Sequence, residues 1–234
     1  MRAHAAVVAE PAGDGCVFST LRSDPPLLLR PTPSGLYLQG GAAGPLGGDQ
    51  LRLDVHVAAG ARLTIRSVAA MIVLPGHGPS SLHVAVRVDE GGHLDWCPEP
   101  LVSVIGSRHH QRAEIDAAQG ATLRWNERLV LGRSDEPSGG VETGLRVERD
   151  ATALFHQDLR VGDPDEPETW RNPAVIGDGR AVGTELRVGS GISAQTVRHD
   201  RVTGARASWV ALADDVWLCQ GVGRRMADVD AMMR

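Results

Sequence analysis

A unit of about 30 residues recurs along this chain, and it limits the folds open to it more than any other feature of the sequence. Gly60-Ala61-Arg62-Leu63, Gly91-Gly92-His93-Leu94 and Gly120-Ala121-Thr122-Leu123 each close one stretch of alternating polarity and open another, with a glycine-free echo at Ala151-Thr152-Ala153-Leu154. Two residues past the leucines stand Ile65, Trp96, Trp125 and His156, and eight before the first three stand Val55, Val86 and Ile115. Side chains two apart on a strand share a face. The unit therefore predicts a strand, a tight glycine turn and a second strand, stacked so that neighbouring units bury each other's apolar faces.

The flanking alternation agrees. Leu51, Leu53, Val55 and Val57 are interleaved with Arg52, Asp54 and His56, and Leu82, Val84, Val86 and Val88 with His83, Ala85 and Arg87. This is the pattern of half-buried strands. Shorter examples are Leu145 with Val147 and Leu186 with Val188, and turn-forming clusters at Pro75 to Pro79 and Ser134 to Gly140 punctuate the runs. Helix signals are sparse. A hairpin is expected over Trp209 to Gln220, turning at Asp214-Asp215, followed by a short helix in Gly223 to Met233 with Met226, Val229 and Met233 on one face. The expected architecture is all-β with few short helices: an elongated, β-solenoid-like stack of short antiparallel strands in one domain over residues 1–234, ending in a short C-terminal helix.

With 234 residues, 42% of them hydrophobic, the chain can bury a core without disulfide or metal staples. Cys16, Cys97 and Cys219 form no Cys-x-x-Cys pair. All 24 cationic residues are arginines, so chemistry that needs a lysine ammonium, such as a Walker A loop, a Schiff base or a Ser-Lys dyad, has no foothold. A formal charge of −5 with no basic block argues against nucleic acid. No apolar run reaches the roughly 18 residues of a membrane span, and Met1 to Gly15 lacks a signal-peptide pattern, so a cytoplasmic location is expected.

Neither a Gly-x-Ser-x-Gly elbow nor a His-Glu-x-x-His motif is present, and Gly177-Asp178-Gly179 and Gly221-Val222-Gly223 read as turns. His109 and His110, adjacent on a strand, point to opposite faces and cannot chelate one ion; exposed histidines are expected throughout. The Asp163 to Glu168 segment reads as a solvated loop. Two acids invite a metal reading, because a divalent cation in transit wants sparse oxygen ligands rather than tight capture. Asp49 ends the glycine-rich Gly44-Pro45-Leu46-Gly47-Gly48 turn, and Glu127 follows Trp125 in an otherwise apolar stretch. Equally, Asp49 fits a turn-capping role and Glu127 a surface acid paired with an arginine such as Arg133.

Gly44-Pro45-Leu46-Gly47-Gly48-Asp49-Gln50-Leu51, Gly60-Ala61 opening Leu63 to Ala70, Leu94-Asp95-Trp96 with Pro98-Glu99, and Trp125 to Arg133 resemble, in order and spacing, the landmarks of the UreD (UreH) family of urease accessory proteins. Arg22-Ser23 with Pro25-Pro26-Leu27, and Leu154 to Val161, are similar to weaker flanking features. Departures stand at Met71-Ile72-Val73, where the family often has a small hydroxyl residue, lysine and an aromatic, and at Asp135-Glu136, where it usually has glycine-glutamate. The resemblance implies a non-enzymatic scaffold on an elongated β stack. It also implies binding to the urease structural subunits, a UreF-like protein and a UreG-like GTPase, with nickel in transit, no tightly bound cofactor, and Asp49 and Glu127 as acidic positions on the nickel path. Readings from other classes are a carbohydrate-active hydrolase with paired carboxylates and a purely structural β-repeat protein.

Overall fold

A computed structural model describes the chain except residues 14, 135, 164, 190–195 and 201. Asp135 of the Asp135-Glu136 pair and Pro164 of the Asp163 to Glu168 loop lie outside the described residues. Strands dominate. In chain order they are β1 (Arg2–Ala12), β2 (Gly15–Arg22), β3 (Leu27–Thr32), β4 (Gly35–Gly40), β5 (Gln50–Val57) and β6 (Arg62–Ser67). Then come β7 (Met71–Val73), β8 (Ser80–Val88), β9 (His93–Trp96), β10 (Leu101–Ser103), β11 (Arg108–Ala117) and β12 (Thr122–Leu131). The last third holds β13 (Gly140–Arg149), β14 (Thr152–Val161), α1 (Pro167–Trp170), β15 (Ala181–Val188), β16 (Thr196–His199), β17 (Arg206–Ala213), β18 (Val216–Gly223) and α2 (Met226–Met233).

Two sheets face each other. The first has the order β14-β13-β11-β8-β5-β1-β2, and the second runs β16-β17-β18-β15-β12-β9-β6-β4-β3, with β10 pairing β12 and β7. The repeat is the coil of a solenoid: β5, β8 and β11 lie in the first sheet, and β6, β9 and β12, after the glycine turns, lie in the second. Register follows the sequence repeat residue for residue. Leu63 pairs with Leu94 and Leu94 with Leu123, while Val55 pairs with Val86 and Val86 with Ile115. These side chains form the main core, in which Trp96 stacks on Trp125 with centroids 4.6 Å apart and ring planes at 5°.

The stack is as expected, but the expected antiparallel pairing holds only at its flanks. β1-β5-β8-β11-β13 and β4-β6-β9-β12 pair in parallel. The cause is the turn. Each glycine arch carries the chain from one sheet to the other instead of folding it back on itself, so every coil re-enters a sheet in the same direction, as parallel pairing requires. Gly60, Gly91 and Gly120 sit at φ of 71°, 67° and 78°, and one left-handed residue per arch makes the corner. The glycine-free echo behaves differently. Asp150 and Ala151 both have positive φ, 47° and 63°, the signature of a tight hairpin turn, and β14 folds back antiparallel on β13 in the same sheet. His156, predicted to share the buried face, is exposed there.

The C-terminal hairpin β17-β18 and the short helix stand where expected. Val229 and Met233 of α2 lie on a bed of small residues: a Cβ at Gly183 would come 2.4 Å from the Met233 sulfur, and one at Gly221 2.8 Å from Val229.

Candidate functional site

The second sheet is interrupted at the same level in two successive coils, beside a third whose strand runs on. β6 stops before Val68-Ala69-Ala70, β9 stops before Cys97-Pro98-Glu99-Pro100, and β12, which continues, pairs with β9 only through Trp125 and with β10 only from Leu129. Prolines 98 and 100 have no N–H to carry the ladder across. The gap leaves Asn126, Glu127 and Arg128 without a strand neighbour on that side. Behind it lies a chamber of about 580 Å³ between the sheets. Leu51, Leu53, Leu82, Val84 and Ala113 line it from the first sheet and Trp96 and Trp125 from the second, with exposed Ala42, Ala43, Val68 and Ile72 at its rim.

Glu127 lines this chamber. Two residues past Trp125, it shares that side chain's inward face, and Trp125 Nε1 donates to Glu127 Oε1 over 3.1 Å. Gln111 of the first sheet hydrogen-bonds the same carboxyl. Burial pushes the Glu127 carboxyl above the usual carboxylate range, and the Trp125 and Gln111 hydrogen bonds oppose this without cancelling it. The arginine partner considered for Glu127 is engaged elsewhere: Arg133 holds Glu136 at 3.0 Å. Arg128, the next residue, donates through Nε to Asp230 of α2 over 2.7 Å and through Nη1 to the Cys97 sulfur over 3.3 Å.

A group whose pKa is raised by folding stabilises the fold below its unfolded pKa and loses that contribution as pH rises through the folded value. Glu127→Gln removes the titration. The variant is therefore expected to gain stability relative to the parent as pH rises above the ordinary carboxylate range, with a slope approaching about 1.4 kcal/mol for each tenfold fall in proton concentration. Urea unfolding of both proteins across this range checks it, and a constant difference at every pH would contradict the buried carboxyl.

Asp49 is not among the residues lining the chamber. It is 4% exposed, and its carboxylate accepts from the Met1 ammonium at 2.6 Å and from the Leu46 N–H at 2.9 Å. Burial pushes its pKa up, but the ammonium and the Leu46 N–H together hold it below the usual range. It caps the turn whose Gly44 and Pro45 form part of the chamber wall. The turn is glycine-rich because two backbones meet: a Cβ at Gly47 would come 2.6 Å from the Gly76 nitrogen and the Gly78 carbonyl. The structure thus puts one predicted acid inside the chamber and the other behind its wall.

Against the expectation of exposed histidines, His56, His83 and His93 are half-buried and His109 is buried. His109 and His110 do face opposite ways, but His109 is 1% exposed and shares a 2.8 Å hydrogen bond through Nδ1 with Ser80 Oγ, itself buried. Its Nε2 has no hydrogen-bond partner among the described residues. Among those residues, no cluster of three or more His, Cys, Asp or Glu side chains is placed to hold a metal. No helix among them is long and apolar enough to cross a membrane.

Known proteins resemble this chain over most of its length. The family described as UreD urease accessory protein matches residues 1–234. Proteins named urease accessory protein UreD are similar in Frankia casuarinae (37% identical, covering 93% of this chain and 80% of the relative), Parafrankia sp. (42%, covering 81% and 72%) and Frankia alni (37%, covering 92% and 88%). With the family matched from end to end, this chain belongs to the UreD family of urease accessory proteins.

Proposed function

We propose that this chain is a non-catalytic cytoplasmic scaffold for urease maturation. It binds apo-urease together with UreF-like and UreG-like partners, and nickel bound for the urease active site passes through it. Membership of the UreD family over the whole chain carries the scaffold reading. The chamber supports the passage: a carboxyl held between two sheets, behind a gap in one of them, attracts a divalent cation without enclosing it. Sparse oxygen ligation suits an ion that must leave again, whereas a full set of nitrogen or sulfur ligands would retain it. Glu127 acts inside the path, and Asp49 acts at its wall by fixing the Gly44 to Gly48 turn.

Co-expression with the urease subunits and the UreF-like protein tests the scaffold. The chain should co-elute with them and gain soluble yield. A chain that remains monodisperse alone, with yield and elution unchanged by the partners, contradicts the reading.

A further inference from the structure

A group of hydrogen-bond donors surrounds the Cys97 sulfur on the outer side of the second sheet. Arg124, Asn126 and Arg128 alternate with Trp125 and Glu127 along β12, so the three leave the strand on one face, away from the core. Arg128 donates through Nη1 to the Cys97 sulfur over 3.3 Å, and the electrostatic interaction of Arg124 with Cys97 places that guanidinium nearby. Asn126 stands between these two arginines, one residue past the in-register pair of Trp96 and Trp125, which puts it beside Cys97. It is 1% exposed, yet its amide Nδ2 has no hydrogen-bond partner among the described residues. A buried donor left unpaired is costly. Asp95, Glu185 and Asp230 balance the two guanidiniums, so donors rather than surplus charge distinguish the place. Cys97 itself is half-buried, and Asn126 and Arg128 border the gap that opens beside it.

We propose that Cys97 is an oxidation site, at which hydrogen peroxide converts the thiol to a sulfenic acid whose oxygen is held by Asn126 and Arg128. The sulfur attacks one peroxide oxygen. An S–O bond forms as the O–O bond breaks, the sulfur gives up two electrons, and the second oxygen takes the thiol proton and leaves as water. A thiol sulfur is a weak acceptor. A sulfenic oxygen accepts from two donors at once, so oxidation pairs the amide that the reduced protein leaves unpaired. The other two cysteines lack this combination of access and donors: burial pushes the Cys16 thiol up, which disfavours its reactive thiolate, and Cys219 is fully buried. The change is felt beyond the sulfur, because Arg128 also holds Asp230 of α2, and Cys97 opens the proline-containing segment that flanks the chamber mouth.

The test treats the full chain with limiting hydrogen peroxide, traps sulfenic acid with dimedone and maps the adduct by peptide mass spectrometry. Cys97 should carry most of the first equivalent. Cys97→Ser should abolish that adduct, and Cys16→Ser should leave it. Asn126→Leu removes the unpaired donor without emptying its space, so the reduced variant should unfold at the same urea concentration as the parent or a higher one. Its Cys97 should nevertheless be oxidised about tenfold more slowly, the effect of one hydrogen bond lost as the S–O bond forms. Equal rates at Cys97 in the parent and the folded variant would overturn the proposal. So would a first oxygen on Cys16 or Cys219, a comparison made within the parent chain that needs no variant to fold.

Discussion

Acidification from pH 6.5 to about 4 is expected to remove about 3 kcal/mol of folding stability through one side chain, His109. Burial, reinforced by neighbouring His110, pushes its pKa from 6.5 down to about 4. The folded chain therefore keeps His109 neutral where the unfolded chain protonates it. In that window the unfolded state binds more protons, so stability falls with falling pH and the contribution is fully present only above the unfolded value. Ser80 keeps one ring nitrogen satisfied, but an imidazolium would carry two N–H donors, and Nε2 has no acceptor among the described residues. His109→Asn offers Ser80 a hydrogen bond and does not titrate. Denaturant unfolding at steps between pH 7 and 4 should show the parent losing stability relative to the variant by about that amount. Parallel curves would mean that the imidazole reaches solvent.

Trp125→Ala should be the most damaging single change near the chamber, at about 3–5 kcal/mol. The side chain is 1% exposed, stacks on Trp96, and positions Glu127 through its indole nitrogen. Such a loss is a large share of the roughly 5–15 kcal/mol by which a domain is stable. Trp125→Phe separates the two roles: it preserves an aromatic face against Trp96 but removes the donor, and should cost about 0.5–1.5 kcal/mol beyond the lost ring area. Equal destabilisation by both variants would show that the hydrogen bond, rather than the stack, dominates.

The repeat was legible in the sequence because apolar residues spaced about one coil apart must fall in register for the stack to close, and Leu63, Leu94 and Leu123 do. Strand direction was not. A glycine in the left-handed region makes a corner equally well for an arch between sheets and for a hairpin within one, and only the missing glycine at Asp150-Ala151 hinted that the last unit turns differently. Glu127 was legible as an acid on the tryptophan's face, whereas Gln111 comes from the opposite sheet and no local pattern links the two. The burial of His109 does have a sequence signal: His109, Gln111, Ala113 and Ile115 alternate on one face, and the last two are plainly apolar. Asp49 fitted both a capping and a metal role from sequence. The hydrogen bond that it accepts from the Leu46 N–H shows the capping role directly.

The passage through the chamber is tested most directly by nickel per urease active site in cells carrying the Asp49→Ala, Glu127→Ala double variant, with pull-down of the same complex in parallel. The account predicts an assembled complex and urease depleted of nickel. Normal nickel loading with the complex assembled would contradict it.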